Sequence, residues 1–154
     1  MYHYTECGLA NVWLENGYAV HETPYGKGVA VEDADALLAA IALSLTNKNG
    51  SLTGKELRFL RLSLDLSQPS AAKMLGVTDQ AVSLWERTGK VPKQGDALLR
   101  LLVLEGHDGG GKASEMIERI NTVDRHLNQQ IIAKARSHKW TTLRRGESAP
   151  AQAL

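Results

Sequence analysis

The segment "MLGVTDQAVSLWER" (Met74–Arg87) interrupts one helical pattern and begins another within three residues. Gly76 accepts a left-handed backbone without steric cost, so it can end the first helix. Thr78 can cap the second helix, because a threonine side chain accepts a hydrogen bond from an amide in the first turn. The segment therefore predicts two helices at an angle, joined by the turn Gly76-Val77-Thr78.

Small and apolar residues on both sides of the turn match the packing of such a helix pair. The spacing predicts a first helix over Gln68–Leu75, with Ala72 at the place where the two helices approach closely. It predicts a second helix over residues 79–87, whose Val82 and Trp85 face the first helix. We interpret Trp85 as a core residue and not as a platform for base stacking.

Further helices are predicted before and after this pair. Thr53 and Glu56 have the spacing of a capping box, in which each side chain accepts a hydrogen bond from the backbone of the other. The helix that follows carries apolar residues at helical spacing: Leu57, Leu60 and Leu64. The segment "GDALLRLLVLE" (95–105) predicts another leucine-rich helix. Residues 53–105 are therefore predicted to form one helix-turn-helix domain.

Residues 1–50 are predicted to form a small α/β interaction region. Asn16-Gly17 lies between two short apolar stretches, which is typical of a hairpin turn. Apolar residues recur at helical spacing over residues 32–46, so a helix is predicted there. The segment "NKNGS" (47–51) has the composition of a linker between this region and the next domain.

A C-terminal helix is predicted over residues 113–139, after a glycine-rich break. Its apolar residues recur every three or four positions and form one stripe: Met116, Ile120, Val123, Leu127 and Ile131. Such a stripe indicates a helix that packs on a partner, and we predict that it forms a dimer. Residues 140–154 lack this periodicity and are predicted to be a disordered basic tail.

The composition of the 154-residue chain is that of an ordinary globular protein, with 43% hydrophobic and 23% charged residues. Its longest apolar run, residues 36–43, is too short to cross a bilayer, and the single cysteine excludes an internal disulfide. We therefore expect a cytoplasmic protein without a membrane partner. His3, Cys7 and His21 lack the paired cysteines of structural zinc sites, and no phosphate loop or catalytic triad spacing is visible. We expect no metal, no cofactor and no enzyme activity.

Charge is distributed unevenly along the chain. Residues 1–50 carry two basic and six acidic residues, a net charge of −4. Residues 51–104 carry eight basic and five acidic residues, and residues 113–154 carry seven and four, so each segment has a net charge of +3. Such asymmetry suggests different partners for different segments, and the acidic first segment is not expected to approach DNA.

The segment "LDLSQPSAAKMLGVTDQAVSLWERTGKVP" (64–92) resembles the DNA-binding domain of the Xre/Cro/C1-type phage-repressor regulators. The shared residues lie on both helices, in the turn and after it: Leu66, Ser67, Gln68, Ala72, Leu75, Gly76, Val77, Val82, Trp85, Glu86 and Pro92. The resemblance covers about residues 53–104 and implies a mainly α fold with a five-helix, phage-repressor-like helix-turn-helix domain. It also implies binding to double-stranded DNA as a homodimer, and an ion pair between Arg61 and Glu86.

The exposed face of the second helix of the pair supplies the candidate DNA contacts: Thr78, Asp79, Gln80, Ser83, Leu84 and Arg87. Gln80 can bind adenine through two hydrogen bonds, Ser83 can donate or accept, and Leu84 can contact a thymine methyl group. Asp79 can accept from cytosine N4 or, with equal reason, serve as the acid that suits the first turn of a helix. By resemblance, three residues hold phosphates and fix the register on DNA: Gln68, Arg87 and Lys93.

These observations predict a sequence-specific transcriptional regulator, a repressor that binds an inverted-repeat operator as a homodimer. The layout of the chain offers an alternative, because a small N-terminal region before a helix-turn-helix domain is similar to the arrangement of MqsA-like antitoxins. That resemblance implies an antitoxin that binds a toxin protein through residues 1–50 and represses its own promoter through residues 53–105.

Overall fold

The computed structural model describes residues 1–108, 112–122 and 129–147. In this part of the chain the fold is mainly helical, with six helices and three pairs of short strands. The chain divides into two compact units, residues 1–118 and residues 119–154, which are described separately. None of the described helices combines the length and the apolar character that a bilayer span requires.

The helices begin where the sequence supplies caps. Their bounds are α1 Ala34–Thr46, α2 Gly54–Ser63, α3 Gln68–Leu75, α4 Asp79–Thr88, α5 Lys93–His107 and α6 Lys112–Thr122. The helix predicted over residues 68–75 is confirmed with these bounds, and α4 extends one residue beyond its predicted end. The capping box of Thr53 and Glu56 is confirmed, because each side chain accepts from the backbone amide of the other.

The strands form three separate antiparallel pairs. β1 (Tyr2–His3) pairs with β2 (Trp13–Leu14), and β3 (Tyr18–Thr23) pairs with β4 (Gly26–Val31). The third pair consists of β5 (Gln129–Arg136) and β6 (Lys139–Glu147). Each pair is a sheet of two strands.

The hairpin predicted at Asn16-Gly17 is wrong. The strands on its two sides pair elsewhere, because the two-residue β2 is held by β1 and the six-residue β3 is held by β4. Gly17 has the positive φ of 76° that the Asn-Gly pair predicts, but its turn only redirects the chain between two strand pairs. The loop Pro24-Tyr25 forms the hairpin turn instead, and the Thr23 hydroxyl donates across it at 2.6 Å.

One hydrophobic core joins the N-terminal region to the helices that follow. Its buried residues come from both parts: Leu9, Ala42, Leu45, Leu52, Leu57, Phe59, Leu60, Leu99 and Val103. Residues 1–50 and 53–105, which the sequence predicts as separate domains, therefore share one core. The loop around Leu9 and the helix α1 are therefore part of the framework that supports α2 and α5.

The segment after α1, predicted as a linker, is fixed to α5, so the linker prediction is wrong. Arg100 donates to the carbonyl oxygens of Lys48 and Gly50 at 2.7 and 2.6 Å. Asp96 forms an ion pair with Arg100 and accepts a buried hydrogen bond from the Leu52 amide at 2.8 Å. The backbone of this segment is therefore held by hydrogen bonds to α5 and is not a flexible spacer.

The C-terminal helix predicted over residues 113–139 is wrong in its second half. α6 ends at Thr122, and the segment Gln129–Arg136 is a strand. Ile131 misleads because a step of four residues satisfies both helical spacing and the alternation of a strand. The stripe that suggested a dimer helix is therefore not continuous, and its residues Val123 and Leu127 lie outside the described residues.

The disordered tail predicted for residues 140–154 is wrong for residues 140–147, which belong to β6. Threonine and tryptophan are strand-forming residues, and Trp140, Thr141 and Thr142 each face a residue of β5 across the hairpin. Residues 148–154 lie outside the described residues.

Candidate nucleic-acid interface

Two side-chain caps and one left-handed glycine set the path of the chain from α3 to α4. The Ser67 hydroxyl accepts from the Ser70 amide at 3.1 Å and begins α3. Gly76 ends α3 with a φ of 71°, a conformation that glycine adopts without strain. The Thr78 hydroxyl then accepts from the Ala81 amide at 3.2 Å, so α4 begins three residues after Gly76.

The contact between the two helices depends on small and apolar residues. Ala71 and Ala72 of α3 and Val82 of α4 are buried. Trp85 packs against the hydrophobic core, and its ring lies 3.3 Å from the place where a methyl group on Gly95 of α5 would be. The prediction that Trp85 packs in the core is therefore confirmed, although its side chain is only partly buried, and it also contacts α5 at Gly95.

A buried ion pair joins α2 to α4. Arg61 Nε and Nη2 donate to the two carboxylate oxygens of Glu86 at 3.0 and 2.9 Å, and the two side chains are only 8% and 6% exposed. Arg61 Nη1 also donates to the Leu66 carbonyl oxygen at 2.8 Å, just before α3. The ion pair that the family resemblance implied is present, and one guanidinium group fixes α4 and the entry to α3 together.

A glycine that the sequence analysis did not select allows α2 to approach α4 closely. A methyl group on Gly54, the first residue of α2, would lie 2.1 Å from the Glu86 carbonyl oxygen and 3.0 Å from the Trp85 carbonyl oxygen. The backbones of the two helices are therefore in direct contact at this point. Gly89, with a φ of 74°, ends α4 beside the same contact. The three-letter run Thr-Gly-Lys carries no sequence signal for such an approach.

Three of the predicted DNA-contact residues form an exposed stripe along α4, called here the α4 stripe: Gln80, Leu84 and Arg87. Successive spacings of four and three residues place them on one side of the helix. Leu84 is 48% exposed, so the stripe offers an apolar group between a polar and a charged one. Base edges in a major groove present hydrogen-bond donors, acceptors and methyl groups, and the amide of Gln80 and the apolar Leu84 are complementary to these groups.

The other predicted contacts surround this stripe or lie behind it. Thr78 and Asp79 are exposed at the start of α4, and Lys93 is exposed at the start of α5. Ser83 is half-buried on α4. Gln68 is half-buried too, and its side-chain amide donates to Glu86 Oε2 at 3.4 Å. Gln68 therefore contacts the buried ion pair, in addition to any role it has at a phosphate.

Ion pairs within the fold neutralise several of the carboxylates in residues 51–104. Three of the five carboxylates in residues 51–104 are paired: Glu56 with Lys48, Glu86 with Arg61 and Asp96 with Arg100. The exposed charged residues of the segment are six basic ones, Lys55, Arg58, Lys73, Arg87, Lys90 and Lys93, and two acidic ones, Asp65 and Asp79. The exposed balance of six against two is more basic than the sequence total of eight against five.

The pKa of Glu56 is lowered although its side chain is buried. Burial raises the pKa of this carboxyl, but hydrogen bonds from Lys48 Nζ at 2.6 Å and from the Thr53 amide at 2.8 Å outweigh it, together with the charge of Lys48. The carboxylate thus remains ionised while it caps α2, the helix that carries Arg61.

We expect acid to weaken this cap. The folded-state pKa of Glu56 lies below the ordinary value of 4.5, so the folded protein binds fewer protons than the unfolded chain. Its contribution to stability is complete above that ordinary value and is lost as the pH falls through the lower folded-state pKa. Thermal melting at a series of pH values should show a smaller acid-induced fall in Tm for Glu56→Gln than for the parent. Equal falls would contradict this role of Glu56.

Residues that raised the question of zinc in the N-terminal region have structural contacts of their own. His3 Nε2 lies 2.6 Å from the Ala10 carbonyl oxygen, and the His3 ring stacks on Trp13 with centroids 4.1 Å apart. Cys7 Sγ donates to the Tyr4 carbonyl oxygen at 3.3 Å. Within the residues that the structure describes, no three His, Cys, Asp or Glu side chains are grouped as metal ligands.

Comparison of the chain with protein-family models, with curated proteins and with solved structures gave no match.

Proposed function

We propose that this protein is a sequence-specific, DNA-binding transcriptional regulator. In this proposal α2 to α5, four helices where the family resemblance implies five, form a helix-turn-helix domain of the phage-repressor type, and α4 enters the major groove of an operator. Within the α4 stripe, Gln80 reads an adenine and Leu84 contacts a thymine methyl group. Arg87 and Lys93 hold the phosphates on either side.

The observation that carries the proposal is the way in which α4 is held. In α4, Val82 is buried, Trp85 packs against the core, and Glu86 is fixed by two hydrogen bonds from Arg61. Its exposed residues are those that can donate, accept or contact a methyl group. A helix whose inner side is fixed by packing and whose outer side carries polar groups suits base recognition. The outer side chains can reach the bases only if the helix is held at a fixed angle to the groove.

The exposed charge supports the same partner. Six exposed basic residues against two acidic ones in residues 51–104 favour contact with phosphates, but one copy offers few such contacts. Two copies related by a two-fold axis would place two α4 helices in successive major grooves, about 34 Å apart. We therefore propose a homodimer on an inverted repeat.

The antitoxin alternative assigns toxin binding to a separate N-terminal region. In the structure, Leu9, Ala42 and Leu45 pack in the same core as α2 and α5. Residues 1–50 thus have a role in supporting the helices that carry α4, and this role accounts for their presence without a toxin. For this reason we propose the regulator function alone.

The experiment that tests the proposal selects binding sites from random duplexes with the full chain and then measures their affinities. Gln80→Ala should weaken binding to the selected site by about 1–3 kcal/mol and relax discrimination at one base step. Thermal melting should be unchanged, because Gln80 is exposed. Enrichment of an inverted repeat is expected from the parent protein.

Lys93→Ala is the control, because its proposed partner is a phosphate. It should weaken binding to all duplexes to a similar degree and reduce the slope of log affinity against log salt concentration by about 1. A base preference in Gln80→Ala that is identical to the parent's would show that Gln80 does not read DNA. Failure of the parent to enrich any duplex would overturn the proposed function.

A further inference from the structure

The hairpin of β5 and β6, residues 129–147, is called here the C-terminal ribbon, and it has a strongly basic composition. It contains five basic residues and one acidic residue: Lys134, Arg136, Lys139, Arg144 and Arg145 against Glu147. The other long hairpin, β3 with β4, contains one lysine and one glutamate over residues 18–31. High positive charge is therefore a property of this ribbon and not of hairpins in this chain generally.

Near its tip, the ribbon carries basic residues on one face and apolar residues on the other. Arg136 faces Lys139 across the turn, and Lys134 faces Thr141. Neighbouring residues along a strand point to opposite faces, so these three basic residues share one face near the tip. Near the tip the other face carries Ala133, Ala135 and Trp140, and further along the strands it carries Ile131, Thr142 and Arg144. Ile132 and Leu143 lie on the same face as the three basic residues, farther from the tip. The tip of the ribbon thus has a basic face and an apolar face.

The isolated ribbon is poorly stabilised by its own contacts. Arg136 and Lys139 are directly opposite each other, and like charges in that position repel. Ser137 and His138 form the two-residue turn with φ values of 52° and 62°, although neither is a glycine. Between residues 130 and 143, Ile132 is half-buried and every other side chain is exposed. A two-stranded hairpin of this kind is marginal in water.

We propose that the basic face of the C-terminal ribbon is a second contact with duplex DNA, in which Lys134, Arg136 and Lys139 bind backbone phosphates. A polyanion removes the repulsion between Arg136 and Lys139, which a neutral or basic partner does not. A two-stranded ribbon also fits a major groove, which is about 12 Å wide. The contacts add affinity for any sequence, since phosphates carry no base identity.

This inference rests on the proposed function, because it takes duplex DNA as the partner. It adds a sequence-independent element to the sequence-reading α4. The two elements have different signatures, since loss of a phosphate contact changes the salt dependence of binding and loss of a base contact changes the sequence preference.

The test measures the affinity of the full chain for a random-sequence duplex by fluorescence anisotropy, between about 50 and about 200 mM salt. Lys134→Gln/Arg136→Gln removes two proposed phosphate contacts, so the slope of log affinity against log salt concentration should fall by about 1.8. The matched control, Lys27→Gln/Lys112→Gln, changes net charge by the same amount at exposed positions outside the ribbon and α4. The control should keep the slope of the parent.

The outcomes separate the two proposals. Equal slopes for the ribbon variant and the parent, with the parent binding DNA, would overturn the ribbon contact and leave the function of α4 intact. A parent that binds no duplex would overturn both. The apolar face offers a different partner, a second copy of the chain. If Trp140→Ser converts a dimer to a monomer in sedimentation while the slope of the basic-face variant matches the parent's, the ribbon joins two copies and the inference is wrong.

Discussion

Gly54→Ala is expected to destabilise the first unit by at least about 3 kcal/mol, a large part of the stability of a small protein. The added methyl group would lie 2.1 Å from the Glu86 carbonyl oxygen. The obstacle is backbone and not the end of a flexible side chain, so relief requires α2 to move away from α4. That movement would disturb the Arg61–Glu86 ion pair, which depends on the same distance between the helices.

Urea unfolding of the full chain, followed by far-ultraviolet circular dichroism, measures this effect. Gly106→Ala is the matched control, because Gly106 lies in α5, has no positive φ and has no atom within 4 Å of an added methyl group. That substitution should be neutral or stabilising by up to about 1 kcal/mol. Equal unfolding midpoints for Gly54→Ala and the parent would show that the two backbones are not in enforced contact.

Glu86→Ala is expected to cost about 3–5 kcal/mol, because it leaves the Arg61 guanidinium buried without its carboxylate. The side chain of Arg61 is 8% exposed, so water cannot replace the lost partner. The urea concentration at the midpoint of unfolding should fall in proportion to this loss of stability. Lys48→Ala also removes the partner of a buried carboxylate, but Glu56 keeps the hydrogen bond from the Thr53 amide, so the cost should be smaller than that of Glu86→Ala.

A double variant separates the cost of a stranded charge from the value of the pair. Arg61→Met/Glu86→Leu removes both charges and keeps apolar volume, so it should be markedly more stable than Glu86→Ala. An unfolding midpoint for Glu86→Ala equal to the parent's would contradict the role assigned to this pair. If Arg61→Met/Glu86→Leu is as unstable as Glu86→Ala, the loss of stability comes from altered packing and not from the unpaired charge of Arg61.

The helix pair was predictable because its signals are local. Ser67, Gly76 and Thr78 act on backbone within a few residues of themselves, and their side-chain or conformational preferences need no tertiary partner. The α4 stripe follows from the same local reasoning, since a helix with Val82 and Trp85 on its inner side must expose the opposite side. Asp79 illustrates the limit, because an acid in the first turn suits both a cap and a base contact.

The wrong predictions concern residues that fit both helical and strand spacing, and segments whose structure depends on contacts with distant parts of the chain. Ile131 fits a helix as well as a strand, and the sequence does not rank them until the pairing of β5 with β6 is known. The hydrogen bond from the Leu52 amide to Asp96 joins residues 44 positions apart, so no local pattern reveals it. Without that contact, the polar segment before Leu52 has only the composition of a linker. The close approach at Gly54 depends on the angle between α2 and α4, which is a property of the packed fold.

The shared core of residues 1–50 with α2 and α5 limits how this protein can be rearranged in evolution. Recombination that joined α2 to α5 to a new N-terminal sequence would remove the partners of Leu57, Phe59 and Leu60 in one step. Arg100 would lose the two carbonyl oxygens that it holds before α2. New specificity is therefore more accessible through substitutions on the surface of α4 than through exchange of whole modules, and the chain should be inherited as one piece.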